Sequence, residues 1–549
     1  MASIARTDGG PVPAHQGEAS ARLTTALLAL FASLLGFTLL KHGTDFIAIE
    51  RPELVFAWVA VVGTLAASFA PARYDVLPRF AVRCLRAGAV FLGLYMALEP
   101  FAIPYAALPA DHPAVVFHSH ARWIGVGLAF AGLLRPSFVF AAAMLLWMVR
   151  ELQTGLTGFY FSTLDIRNIA EVLAFWAIGF TILAAARRVK AIHGAIGLDG
   201  DALKLAALML FAAGVGAHLA NYFWSGLAKL ALDGGIFSWL LDNRLYDGIP
   251  GALEKGTLPL AGFPLAVQWL DTVLRFVSIP ANIAAFAVQI FALFAPLKRR
   301  WLIMAVVGFD LFHIAVWFAL GLLFWKWIAL NAILLVALSA ISEDEWRPAA
   351  RYTAVAFVIA GMATFRTASL AWYDTPGFTS PHFEAEMADG SRMAIPNAYF
   401  LSSSYQVSQG RIWWPGGEGH FNPSIWGSVL SHEDLVAGRE CKVPQRAMPA
   451  EEEWGPAENI GRFVQAHHRQ VATRLDDRGR FNYYLVPHHH VPSPFKGDAF
   501  YTRDKRQIVR YWFVVESVCL SLDKGGLDRR VLKRTERPVY DVKADRIVS

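Results

Sequence analysis

The sequence predicts an α-helical polytopic membrane bundle of about 9–11 spanning helices, odd in number, followed by a β-rich extracytoplasmic C-terminal domain. Three observations predict it. Of 549 residues, 55% are hydrophobic and only 17% charged, against about 25% charged in a soluble domain. The apolar residues come in long runs up to about residue 373 and then stop. The basic residues fall between those runs, on alternate loops. Together these exclude a simple soluble enzyme, a disordered chain and a collagen-like chain.

Spanning the bilayer takes about 20 mostly apolar residues. The candidate spans are 23–40, 53–70, 82–103, 115–134, 137–155, 168–187, 203–228, 278–296, 302–320, 322–341 and 353–373. The Pro/Gly-broken stretch 249–277 carries Asp271 and Arg275 at i,i+4 spacing. It reads either as a re-entrant or interfacial segment or as an extension of the next helix. Residues 1–21 form a polar N-terminus, 22–375 the transmembrane domain and 376–549 the β-rich domain.

With the N-terminus in the cytoplasm, Arg73/Arg79/Arg83, Arg135, Arg187/Arg188/Lys190, Lys298/Arg299/Arg300 and Arg347/Arg351 all fall inside, while the outer loop 104–114 has no Lys or Arg. Positive charge on the cytoplasmic side is the strongest topology signal a sequence carries. The expected location is a plasma (inner) membrane, crossed many times, with the C-terminal domain outside. The first apolar run lacks a cleavage site and reads as a first membrane helix. The net charge of +6 sets topology and does not point to nucleic acid.

In the C-terminal part, Ile508–Leu522 is rich in β-branched and aromatic residues, ADG (Ala388–Gly390) and PGG (Pro415–Gly417) are turn signals, and Ala457–Leu475 reads as a helix. Three cysteines rule out a disulfide framework and a Cys-rich zinc module. Cys441 and Cys519 share an oxidising compartment in this topology, and either pair or stay separate thiols. His467–His468 and His488–His490 lack metal-ligand spacing and read as surface or interface histidines. No metal is expected.

Ionisable residues inside spans usually mark a site. His118, His120, Arg150, Glu151, Glu171, His218, Lys229, Asp310, His313 and Lys326 cluster toward the outer leaflet, which implies an outward-facing cavity. At about 100° per residue His218, Tyr222, Ser225 and Lys229 share one stripe, and Asp310, His313 and Trp317 another. His118 and His120 lie about 200° apart, so at most one can face a given site. Each residue also has a plainer reading. Lys229 and Lys326 serve as interfacial anchors, His218 as a helix–helix contact, and Glu171 as a structural partner of Arg150.

At YFWSGLAKL (Tyr222–Leu230) the chain resembles the vitamin K-dependent γ-carboxylase family and its bacterial HTTM-domain relatives. That family carries a Tyr-Phe-x-Ala-Gly-x-Lys-Lys-Leu-type segment. Its second lysine matches Lys229, and its first is replaced here by Ala228. HARWIGVGLAF (His120–Phe130) and FHIAVWFALGLLFWKWIALN (Phe312–Asn331) are similar to two further family segments. The match selects His120 over His118. The family's Trp and Gly close behind the lysine are missing, and Trp239 follows ten residues later in a loop expected to border the cavity.

The resemblance implies a helical bundle with a β-rich extracytoplasmic domain, and an enzyme using a reduced quinone and O₂ to generate a strong base. That quinol epoxidation is coupled in the family to CO₂ addition on a glutamate of a peptide or protein. It implies Lys229 as base on the quinol, His120 at the glutamate and CO₂ end, and His313 as polar partner. His218, Tyr222, Ser225, Asp310 and Trp317 are then the candidate cofactor-binding residues. The alternative from another class is a non-catalytic quinone or lipid carrier, or a scaffold displaying the C-terminal domain.

Overall fold

The computed structural model describes residues 14–98, 111–157, 164–188, 198–404, 407, 420–421, 427–443, 457–484 and 498–548. Lys190, most of the 104–114 loop, the PGG turn and His488–His490 lie outside them. A helix covers all or part of each predicted span, the last of them, 353–373, only as far as Ala363: α1 (Ala14–Glu50), α2 (Val55–Ser68), α3 (Arg79–Leu98), α4 (Pro113–Gly132), α5 (Pro136–Thr157), α6 (Leu164–Arg188) and α7 (Gly200–Leu230). After two short helices, α8 (Ser238–Asp242) and α9 (Gly248–Glu254), come α10 (Pro264–Phe291), α11 (Arg299–Leu320), α12 (Trp325–Leu338) and α13 (Pro348–Ala360). Among the described residues, six helices (α1, α3, α6, α7, α10 and α11) are long and apolar enough to cross a membrane. Helices α2, α12 and α13 are shorter apolar elements.

Local chemistry sets the helix ends. Asp199 caps α7 by accepting from Ala202 N at 2.6 Å, and His112 caps α4 ahead of Pro113. Helix α11 stops at Gly321, whose φ of +70° suits a residue with no Cβ. Helix α10 runs unbroken through Asp271 and Arg275, paired at 2.8 Å. The second half of the 249–277 stretch is therefore the extension of the next helix.

Helix α7 is the axis of the bundle, buried along nearly its whole length. Helix α13 packs on it at Gly216, where an added Cβ would lie 2.2 Å from Ala354 O. Overpacking of that kind typically costs about 1–3 kcal/mol. By contrast α10 and α11 bury only 17% and 28% of their most apolar windows. They form the outer wall.

The change from helix to strand falls between Ala363 and Tyr373. Strand β1 (Tyr373–Asp374) pairs with β4 (Ser428–Val429). Strands β2 (Gly377–Met387), β3 (Arg392–Ile395), β5 (Ile508–Asp523), β6 (Gly526–Asp541) and β7 (Arg546–Ile547) form an antiparallel sheet in the order β3-β2-β5-β6-β7. Lys524 and Gly525, both at positive φ, close the β5–β6 hairpin, as the twist of a two-residue turn requires. Two longer helices accompany the sheet, α14 (His432–Arg439) and α15 (Ala457–Ala472).

One face of the sheet, with Phe383, Tyr511, Phe513 and Val515, packs on α15 through Phe463 and Val464. His467 is buried in this core beside Tyr399 and Phe400, which corrects its reading as a surface histidine. His468 hydrogen-bonds Tyr511 OH at 2.9 Å. The opposite face carries paired charges, Arg534 on Glu384 at 2.9 Å within the sheet and Arg529 on Glu254 of α9 at 3.0 Å. Cys441 and Cys519 form a disulfide.

Candidate functional site

The stripe on α7 predicted from helical spacing opens onto a chamber of about 630 Å³ bounded by α7, α10, α11 and α12 and by residues 370–374. Tyr222, Ser225, Lys229 and His313 line it, so the structure brings together four of the eight predicted site residues. Its walls are otherwise mostly aromatic and aliphatic, with Trp239, Phe312, Phe324 and Trp327 prominent. Tyr222 stacks on Phe309 at 3.7 Å between ring centroids, and His313 on Phe324 at 5.0 Å.

Lys229 is 7% exposed. Its Nζ donates to Ser225 O at 3.2 Å and to Leu370 O at 3.0 Å, and lies 4.9 Å from the centre of the Trp239 ring. All three partners are neutral. The carboxylate that acts on it electrostatically is that of Asp374, at the end of β1. Asp374 accepts from Asn243 Nδ2 at 3.0 Å and from Trp372 Nε1 at 3.3 Å. Burial pushes the Asp374 carboxyl up to about 7, against the pull of these hydrogen bonds and of Lys229.

The remaining predicted residues sit elsewhere. His218 Nε2 donates to Asn331 Oδ1 at 2.8 Å. Asn331 Nδ2 in turn donates to Asp310 at 2.7 Å and to Tyr222 OH at 3.3 Å. His218 and Asp310 therefore stand behind Tyr222 and brace it, and they do not line the chamber. Trp317 shares a helical face with His313 yet also lies off the lining. The stripe there is broad, and Val316 and Phe318 take its place.

His120 is a plain correction. It is exposed, with Nδ1 at 2.9 Å from Val116 O and from Ser119 Oγ, and it has no place in the chamber. His118, half a turn round the same helix, is the buried one. Lys326 is also not an interfacial anchor: it is buried, 5.5 Å from the Tyr95 ring centre and 5.7 Å from that of Trp325.

Sequence reasoning missed three residues of the lining that carry polar groups: Asp374, Trp372 and Gln289. It also missed how the segment 364–374 is held. This stretch has no helix of its own to satisfy its backbone, and side chains do so instead. Glu171 accepts from Arg366 N at 2.6 Å, Asn221 from Ala368 N at 2.7 Å and Ser225 from Leu370 N at 2.9 Å, while Lys229 caps Leu370 O. Non-helical backbone at membrane depth persists only when protein groups satisfy it in this way. Asn221, Ser225 and Lys229 recur every fourth residue along α7, which is the sequence trace of the ladder.

A second polar cluster is buried among α1, α5 and α6. Arg167 pairs with Asp45 at 2.7 Å, Glu171 at 3.0 Å and Glu151 at 3.1 Å, and Lys41 pairs with Glu171 at 3.1 Å. The expected Glu171–Arg150 pair is thus replaced by pairs to Arg167 and Lys41. Asn168 donates to Asn221 at 2.7 Å and so joins this cluster to the ladder.

Another cavity, of about 430 Å³, lies between α9 and the sheet. The charges around it are matched to one another, as in Glu254–Arg529 and Glu516–Arg534. No group of three or more His, Cys, Asp or Glu able to hold a metal occurs among the described residues.

No protein-family model, curated protein or solved structure matches this chain. The chemistry of the chamber is therefore read from its own side chains.

Proposed function

We propose that this chain is an integral membrane enzyme that acts on a reduced quinone with O₂, with Lys229 as the base. The observation that carries the reading is a primary amine buried in an apolar, aromatic chamber and held only by neutral partners. A neutral amine has two N–H groups and one lone pair. Ser225 O and Leu370 O take the two N–H groups, which leaves the lone pair for a proton from the chamber.

The lining fits a quinol. A flat ring needs an apolar slot with few polar anchors, and Tyr222, Phe312, Phe324 and Trp327 supply one. The quinol, once deprotonated, supplies all four electrons that O₂ takes up, two on passing to the quinone level and two from the ring C=C bond that becomes the epoxide, so that one oxygen atom stays in the epoxide and the other leaves as water with the two hydroxyl protons. Lys229 accepts the hydroxyl proton. Asp374, held by Asn243 and Trp372, stabilises the ammonium that results. His313 and Tyr222 form one wall of the ring slot.

In the family that the sequence resembles, carboxylation depends on a histidine matched here by His120, which faces away. The proposal therefore stops at the quinol and oxygen. We place the protein in the plasma (inner) membrane with the N-terminus inside, an odd number of spans, and the chamber and sheet on the outer side, following the positive charges.

A second reading has its own support. Lys229 also clips the 364–374 segment, and a purely structural lysine would do the same in a carrier that binds quinone without turning it over. Purified protein given reduced naphthoquinone, O₂ and labelled bicarbonate separates the two. Epoxide formed by wild type and lost in Lys229→Ala supports the enzyme. Binding without epoxide supports the carrier. Label fixed into a glutamate would restore the carboxylation half.

A further inference from the structure

Three arginines from two distant parts of the chain converge at the basic end of the bundle. Arg79 and Arg83 stand about one turn apart at the start of α3, and Arg299 opens α11. With residues 339–343, at the end of α12, they line a pocket of about 530 Å³. It shares no residue with the chamber, and nothing about it depends on the quinol reading.

The arginines are held in place. Arg83 Nη1 donates to Ser339 Oγ at 2.8 Å, and Arg299 donates through Nε and Nη2 to Leu338 O at 3.2 and 3.0 Å. Two guanidinium groups from different helices are thus fixed on neighbouring residues of α12. Arg79 is exposed beside them and has no hydrogen bond or ion pair among the described residues.

Their charge is unbalanced. Elsewhere at this end cations have carboxylate partners: Arg22 on Asp199 at 3.3 Å, Arg188 on Asp75 at 2.5 Å and Lys204 on Glu345. No carboxylate of the described residues forms an ion pair with the side chain of Arg79, Arg83 or Arg299. The carboxylate on the lining is that of Glu343, which accepts from Arg299 N at 3.2 Å and Arg300 N at 3.3 Å. It is spent on the first turn of α11. Three positive charges against one negative suit an anion, and guanidinium groups suit phosphate, which they meet with paired N–H bonds.

The surface beyond the pocket is apolar. One to three turns further into the bundle, Val90 and Leu94 of α3, Met304 and Val307 of α11 and Val336 of α12 are all exposed. Helix α12 packs between α3 and α11, and both flanking helices are long and apolar enough to cross the bilayer. Phosphate-binding groups at the mouth of an apolar strip match a molecule that carries phosphate at one end and hydrocarbon at the other. Free phosphate would have no use for the strip.

We propose that this pocket holds the headgroup of an anionic phospholipid, with its acyl chains lying along α3, α11 and α12. Basic pockets between membrane helices bind lipid headgroups in this way. This end is the cytoplasmic one in the topology proposed above, so the lipid comes from the inner leaflet. Bound there, it bridges the starts of α3 and α11, which are joined at this end only through α12.

The test is native mass spectrometry of the full-length protein in detergent, titrated with phosphatidylglycerol or with phosphatidylcholine of the same acyl chains. Wild type is expected to bind phosphatidylglycerol at least about tenfold more tightly. A ligand that binds only the folded state also raises the melting temperature, so phosphatidylglycerol should raise it and phosphatidylcholine should not. Arg79→Gln should weaken phosphatidylglycerol binding about tenfold, the worth of one charge-assisted hydrogen bond. Arg83→Gln combined with Arg299→Gln should weaken it further. Arg347→Gln, which removes an exposed charge at the same end but outside the pocket, should leave it unchanged.

If the double variant does not fold, Arg79→Gln decides alone, since it removes no bond within the described protein. Equal binding of the two lipids overturns the site. So does equal weakening by Arg79→Gln and Arg347→Gln, which would reduce the arginines to a diffuse basic surface. Displacement of phosphatidylglycerol by millimolar inorganic phosphate would make the pocket a free-anion site and overturn the lipid.

Discussion

Two groups of buried charge stand side by side in the bundle, and they are built on opposite plans. Around Arg167 every carboxylate has a cation in contact: Asp45, Glu151 and Glu171 share its guanidinium, and Lys41 adds a second charge on Glu171. In the chamber, Lys229 and Asp374 are each held by neutral groups and act on one another only through space. The first arrangement is closed and has nothing left to offer a ligand. The second keeps an amine without a cation's usual counter-charge in contact, beside an open chamber. Completeness of pairing, more than burial or charge, separates the part that holds the fold from the part able to do chemistry.

The largest effect expected from breaking this contrast is on turnover. Lys229→Met should lower quinol-dependent epoxide formation by about 10²–10⁴-fold, the usual worth of a positioned base, with the melting temperature in detergent little changed. A large drop in melting temperature with activity per folded molecule intact would make Lys229 a structural clip instead.

Arg167→Met should do the reverse. It takes from Asp45, Glu151 and Glu171 the guanidinium they share, leaving Lys41 on Glu171, and breaking a buried pair costs about 3–5 kcal/mol. The yield of folded protein should collapse, while any molecules that fold keep their activity. A stable, inactive Arg167 variant would show that the closed cluster also serves the chemistry.

The pH dependence of stability sharpens the contrast. The Asp374 carboxyl is pushed from 3.8 to about 7 on folding, chiefly by burial. Between about pH 4 and 7 the unfolded chain has released this proton while the folded one still holds it. Stability from this group is therefore full below about pH 4 and declines as pH rises toward 7. Asp374→Asn should flatten that decline in a series of melting curves from pH 4.5 to 7.5. Identical slopes in variant and wild type would mean that Asp374 does not carry it.

The smallest effect belongs to the ladder. Ser225→Ala removes the acceptor for Leu370 N and should cost about 1–3 kcal/mol, the penalty for an orphaned backbone donor. Loosening of Leu370 would appear as faster amide exchange there. No change in exchange would place the anchoring elsewhere.

Much of the fold was legible because membrane helices are written in long, simple runs. A helix falls within each of the eleven predicted spans, though the last, 353–373, is helical only to Ala363, and the strand at Ile508 announced itself by β-branched and aromatic content. The α7 side of the chamber was legible for a related reason: Tyr222, Ser225 and Lys229 repeat at helical spacing. Spacing narrows a stripe but does not orient it. It could say that His118 and His120 face apart, and burial then chose His118 where the family likeness had chosen His120. Trp317 went wrong in the same way.

Asp374 and Gln289 gave almost no signal. Asp374 lies at a polar junction where an acidic residue is ordinary. Gln289 is a lone amide near the end of an apolar helix, where contact with headgroups would account for it. Only their neighbours across the chamber, far away in sequence, make them unusual.

The strip from Thr364 to Asp374 leaves one consequence. Its far end, as β1, pairs with Ser428–Val429, and its middle supplies the carbonyl that anchors the Lys229 amine. Displacing β1 would therefore displace the carbonyl that the Lys229 nitrogen holds.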